Sequence, residues 1–97
     1  MPYRVRFTDT AGRIVANFHP ELKKITRIAL QEIARNPYLG KELQEELGSY
    51  LSYRFKRYRA VYTVDEKAKI IVIHLVGHRR NVYELLEKLI PAPEIEK

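Results

Sequence analysis

Leu51-Ser52-Tyr53-Arg54-Phe55-Lys56-Arg57-Tyr58-Arg59-Ala60-Val61-Tyr62-Thr63-Val64 and, after the turn-sized break Asp65–Ala68, Lys69-Ile70-Ile71-Val72-Ile73-His74-Leu75-Val76 are the residues on which the fold turns. Leu51, Tyr53 and Phe55 alternate with Ser52, Arg54 and Lys56, the period of a strand that is apolar on one face and basic on the other. Tyr58, Ala60, Tyr62 and Val64 alternate in the same way with Arg59, Val61 and Thr63, so the two runs read as a hairpin folded at Lys56-Arg57. Ile70–Val76 is apolar on both faces, the pattern of a central strand.

Upstream, Tyr3, Val5 and Phe7 alternate with Arg4 and Arg6, giving a first strand over Pro2–Thr8. Thr8-Asp9-Thr10 carries capping oxygens for a short helix over Ala11–Phe18. Pro20 opens a second helix in which Leu22, Ile25, Ala29 and Ile33 share a face, and Pro37 closes it by pushing Asn36 out of the helical region. Tyr38–Ser49 is polar, holds Gly40 and Gly48, and reads as a connection with room for a helical turn over Lys41–Leu47. Downstream, Gly77 ends the central strand, and Asn81 with Glu84 is a capping signature for a last helix with Val82, Leu85, Leu86 and Leu89 inward. Pro91-Ala92-Pro93 stops that helix and leaves 91–97 as a loose tail. The expected fold is one α+β domain over residues 1–97, in the order β-α-α-β-β-β-α. Its helices pack on one face of a mostly antiparallel sheet and leave the other face free.

The 97 residues carry 18 Lys and Arg against 12 Asp and Glu, a net charge of +6, and no cysteine. The excess is local, because residues 50–83 hold eight basic side chains and only Asp65 and Glu66 against them. A positive field confined to one stretch is the footprint of a polyanion, nucleic acid first among them. A chain this short closes one core and has no material for a large cofactor-binding fold. Without cysteine there is no disulfide, thiolate nucleophile or iron–sulfur cluster, and with no metal-ligand spacing either, neither cofactor nor metal is expected. No apolar run reaches the roughly 18–20 residues that cross a bilayer, and Met1-Pro2-Tyr3-Arg4 lacks a signal-peptide core, so the expected location is the cytoplasm, away from membranes. Paired carboxylates of the glycosidase kind are missing as well.

One constellation in this layout can carry chemistry. Arg54 and Lys56 project from one strand, Arg59 from its hairpin neighbour, and Gly77-His78-Arg79-Arg80 leaves the central strand where the last helix begins, with Tyr83 one turn on. Two arginines at a positive helix N-terminus are unfavourable until an anion arrives, and a phosphate held by Arg79, Arg80 and helix amides, with Arg59 as a planar fork, resolves the conflict.

Tyr58-Arg59-Ala60-Val61-Tyr62, a hairpin, a β-branched run and then Gly77-His78-Arg79-Arg80-Asn81-Val82-Tyr83 resemble the RelE branch of the RelE/ParE toxin superfamily, over essentially Pro2 to Leu89 and including the His19-Pro20-Glu21 helix start. The resemblance implies a type II toxin that enters the ribosomal A site and cuts messenger RNA without a metal, a ribose 2′-hydroxyl attacking the adjacent phosphate. It also implies a cognate antitoxin, expected to offer an acidic segment with apolar anchors. By position it assigns the catalytic residues to Arg54, Arg59, Arg79 and Tyr83. Arginine stays protonated and is suited to stabilising phosphorane charge, while His78 is the one group there that titrates near neutrality. Ser52, Lys56, Arg57 and Arg80 are the expected RNA contacts. Many relatives carry a basic residue at the position of Ser52 and a Gly-Asp turn where this chain has Lys56-Arg57, which shifts charge toward the hairpin tip.

Plainer readings stand beside these. His78 also suits a strand end, His74 a hydrogen-bonded core or edge position and His19 a helix entry. Tyr53, Tyr58 and Tyr62 suit sheet core with a hydroxyl at the rim, Tyr62 above all. Tyr83 differs, since Val82, Leu85, Leu86 and Leu89 already define the buried stripe. At the level of function, the alternatives to a nuclease are a ParE-like protein that binds DNA gyrase without cutting, and a non-catalytic RNA-binding or decayed toxin.

Overall fold

The structure is a computed structural model that describes residues 2–43 and 49–89, the side chain of Leu89 excepted. The 91–97 tail, the orientation of Leu89 and most of the Lys41–Leu47 segment lie outside the described residues. The elements are β1 (Arg4–Phe7), α1 (Asp9–Ala16), α2 (Pro20–Arg35), β2 (Lys41–Glu42), β3 (Leu51–Phe55), β4 (Tyr58–Asp65), β5 (Ile70–His78) and α3 (Val82–Leu89). The fold is α+β, a five-stranded sheet in the order β1-β5-β4-β3-β2 in which only the β1–β5 pair is parallel. The connection Tyr38–Ser49 contributes a strand, β2, which is two residues long and therefore too short to show a period.

Local chemistry sets the boundaries. Thr8 caps α1, its hydroxyl accepting from the Ala11 amide at 3.1 Å, so the helix starts at Asp9 rather than Ala11. Pro20 sits in the first turn of α2, and that helix ends at Arg35 with Asn36 already outside helical geometry. Thr26, Ala29, Leu30 and Ile33 form its buried stripe.

Two cores lie on opposite faces of the sheet. On one face α1 and α2 cover Leu51, Ala60, Tyr62, Ile71, Ile73 and Val76. On the other, Val61 and Leu75 meet Val82 and Leu86 of α3. The second face is thus not left free, and the helices do not all share one side. Of the α3 residues expected inward, Val82 and Leu86 are buried, whereas Leu85 points outward at 38 % exposure.

A β-bulge makes both cores possible. Val61 pairs with Leu75 but Tyr62 pairs with Ile73, so β5 spends one extra residue, His74. The parity of β5 changes there, and Ile73 and Val76 reach the first core while Leu75 reaches the second. His74 stays on the α3 side, its Nε2 2.9 Å from Thr63 Oγ1 and its ring edge-on to Tyr50 at 5.0 Å. Burial lowers its pKa from the ordinary 6.5, because no carboxylate compensates the lost hydration. The fold therefore favours neutral imidazole, and as pH falls the unfolded chain takes the proton first. Stability present above about pH 6.5 is lost below it. Urea midpoints at pH 7.5 and 5.5 are expected to show a drop in the wild type that shrinks in His74→Gln; an equal drop in both would refute the assignment.

Candidate nucleic-acid interface

Register places the basic side chains before any side-chain contact is considered. Cross-strand partners share a face, and Arg54 pairs with Arg59, which in turn pairs with Gly77. One row across three strands therefore reads Arg54–Arg59–Gly77, beside a row Ser52–Val61–Leu75, all on the α3 side. Like charges directly opposite one another are unfavourable. Val82 of α3 packs over Gly77 on this face: a Cβ there would stand 3.5 Å from the Val82 side chain, an ordinary contact distance.

With Val82 seated on Gly77, Tyr83 falls across the neighbouring rows. Its hydroxyl lies 3.0 Å from Ser52 Oγ, which also accepts from Arg59 Nη1 at 3.3 Å, and the Arg59 guanidinium sits 5.6 Å from the centre of the Tyr83 ring. Arg59, Ser52 and Tyr83 are one connected unit. A cleft of about 290 Å³ opens in front of it, lined by Leu39, Lys41, Ser52, Tyr53, Arg54 and Arg59.

The other expected site residues divide. Arg79 is exposed in the turn between β5 and α3, and its amide donates to the Arg57 carbonyl at 2.8 Å, so the turn lies against the hairpin tip. Arg80, Lys56 and Arg57 are exposed around it. Lys56 has φ 55°, the left-handed conformation that the Gly-Asp turn of the resembling sequences would adopt without strain. The turn is not helical at Arg79, since α3 begins at Val82, so Arg79 and Tyr83 do not stack as a helical pair.

Two residues are placed differently from expectation. Ser52 was expected to touch RNA; it is 3 % exposed, and its hydroxyl is engaged by Tyr83 and Arg59, because α3 lands on the face that alternation alone leaves open. His78 pairs with Tyr58 and packs edge-on to it at 5.6 Å, in the cluster with Phe55 and Phe18 on the α2 side, so it does not join Arg54, Arg59 and Tyr83. Its Nδ1 accepts from the Arg80 amide at 3.2 Å. The remaining tyrosines are structural. Tyr62 is fully buried and donates to the Pro37 carbonyl at 2.7 Å. Tyr53 donates to Glu32 Oε1 at 2.7 Å, and that bond, followed by partial burial, raises its pKa. Lys41, which lines the cleft, was missed because two residues of strand carry no periodic signal.

The sequence and the fold also resemble those of known proteins. A family model described as the ParE toxin of type II toxin–antitoxin systems, parDE, matches residues 5–83. Toxin RelG of Mycobacterium tuberculosis (strain ATCC 25618 / H37Rv) is 38 % identical over 85 residues, covering 86 % of this chain and 98 % of that protein. The toxin–antitoxin complex RelBE2 from M. tuberculosis superposes with a TM-score of 0.73 at 36 % identity, covering 81 % of this chain and 100 % of the matched one. A mutant of the E. coli toxin RelE in the free state shares the fold, with a TM-score of 0.72 at 19 % identity over 93 % of this chain and 99 % of that one.

The bond between Ser52 and Tyr83 is open to direct measurement. A double-mutant cycle of Ser52→Ala and Tyr83→Phe by urea unfolding is expected to return a coupling of about 0.5–1.5 kcal/mol. Strict additivity would mean that the two hydroxyls do not support each other.

Proposed function

The chain belongs to the RelE/ParE family of type II toxins, and from that membership we propose that it is a ribosome-dependent endoribonuclease that cuts messenger RNA in the A site. The observation that carries the reading is the Arg54–Arg59 pair, two permanent cations held opposite each other beside Tyr83 at the floor of an open cleft. An RNA phosphate is the ligand that relieves this arrangement, and its charge grows in the transition state that the arginines would stabilise.

The reaction follows from RNA's own chemistry. The ribose 2′-hydroxyl loses its proton and its oxygen bonds to the adjacent phosphorus. The bond from phosphorus to the 5′-oxygen breaks, that oxygen takes up a proton, and a 2′,3′-cyclic phosphate remains. Arg54 and Arg59 hold the non-bridging oxygens, and Arg79 approaches from the turn beside the hairpin tip. Tyr83, oriented by Ser52, presents its phenol to a base or to a proton in transit. Lys56, Arg57 and Arg80 steer the flanking strand, and the ribosome supplies the walls that so small a protein lacks. His78, turned toward Tyr58, has no part in this scheme. The relatives solved as toxin–antitoxin complexes support a cognate antitoxin here too, an acidic segment with apolar anchors laid over the same cations.

Primer extension on translated messenger RNA tests the reading. Wild-type protein is expected to produce A-site cuts, Arg59→Ala to slow them on the order of 10²-fold, and Tyr83→Phe to slow them by about tenfold or more. The matching family model is described for ParE toxins, which keeps a second reading in view: intact messenger RNA together with stalled DNA gyrase would favour a gyrase-directed toxin.

A further inference from the structure

The cleft in front of Arg54 and Arg59 has a second wall that the scheme above leaves unused. That wall is the segment Pro37–Lys41. The Leu39 amide donates to the Asn36 carbonyl at 3.1 Å, Tyr62 donates to the Pro37 carbonyl at 2.7 Å, and the Gly40 amide donates back to the Tyr62 oxygen at 3.0 Å. Gly40 lies so close to the sheet that a Cβ would meet Tyr62 Oη at 2.7 Å and the Ser52 backbone at 3.1 Å. A buried tyrosine from the α2 side thus pins a surface segment over the end of β3.

The segment holds out two side chains with no evident structural duty. Leu39 is 44 % exposed although it lines the cleft. Lys41 is exposed and pairs with Ser52, which puts it on the arginine face, diagonal to Arg54 at a separation of about 7–8 Å. Its neighbour Glu42 pairs with Leu51, a residue of the α2-side core, and so projects to the opposite face. Lys41, Arg54 and Arg59 therefore surround one cleft that has an apolar patch at its edge, the composition of a site for a single nucleic-acid strand.

We propose that the Leu39–Lys41 wall is a nucleotide subsite of the same active face, in which Lys41 holds the phosphate next to the one held by Arg54 and Arg59, and Leu39 packs against the base between them. The inference rests on the nuclease reading for its ligand, single-stranded RNA. The fixed segment spares the bound state part of the ordering cost that a free loop would carry.

Salt dependence separates a phosphate contact from a structural one. Affinity of the full chain for a short single-stranded RNA, made uncleavable by 2′-deoxy substitution, is measured by fluorescence anisotropy across salt concentrations. Lys41→Ala is expected to weaken binding about 5–10-fold and to reduce the slope of log K against log salt by about 0.7, the value for one phosphate contact on a single strand. Lys41→Arg restores both. Leu39→Ala weakens binding about threefold with the slope unchanged, as loss of an apolar contact should. Lys67→Ala, with the same loss of charge in the β4–β5 turn, changes neither. If Arg59→Ala lowers affinity and slope while Lys41→Ala matches the wild type in both, the subsite is wrong and the nuclease reading survives. If the wild type does not bind the RNA at all, the subsite is wrong, and the nuclease reading stands or falls on the primer-extension experiment alone.

Discussion

The extra residue in β5 couples the two sides of the sheet. Without the bulge at His74, strict alternation would carry Ile71, Ile73 and Leu75 to one core and leave Val76 on the other side, beneath α3. With it, Leu75 and Gly77 face α3 while Val76 closes the α2 core. Val82 packs over Gly77 on that face, and because Tyr83 follows Val82 directly, the placement of the candidate site is a consequence of how one strand divides its apolar residues between two cores. The bulge brings a partly buried histidine that prefers to be neutral, so the geometry of the site and a sensitivity to acid share an origin.

Much of this was legible because it depends on local chemistry. The Thr8 cap, Pro20 at a helix start, Pro37 beyond its end and the period-two runs on either side of Lys56-Arg57 each act within a few residues of themselves. The hairpin register follows from a two-residue connection, and with it the juxtaposition of Arg54 and Arg59. What could not be read depends on contacts distant in the chain. Ile70–Val76 is apolar on both faces, so alternation holds no information about where an extra residue enters. The stripe Val82, Leu85, Leu86 says that α3 buries a side and is silent on which sheet face receives it. Ser52 looked like a surface position by its spacing from Arg54 and Lys56, and it became a buried hydroxyl only because α3 settles over it.

The same comparison explains how this chain can do without a cation at Ser52. A lysine or arginine there would have to be desolvated under Tyr83 or displace it, and an unpaired buried charge is costly. Serine instead offers a donor and two acceptor positions, enough to serve Arg59 and Tyr83 together. The cations lie around the rim, at Lys41, Arg54, Lys56 and Arg57, where water hydrates them. Orientation is thus assigned to a neutral buried group, and charge to exposed ones.

Exposed charge has a further consequence for the free protein. Arg54 and Arg59 stand opposite each other as like charges, and Lys56 occupies a strained backbone conformation. A bound anion offsets the repulsion. On the proposed function, a strand of RNA and an acidic antitoxin segment would satisfy the same requirement on the same face, which makes their binding competitive by geometry as well as by charge. Each also stabilises the fold by mass action, as RT ln(1 + [L]/Kd). On that reading, regulation requires no conformational switch: it reduces to which of two polyanions occupies the arginine face.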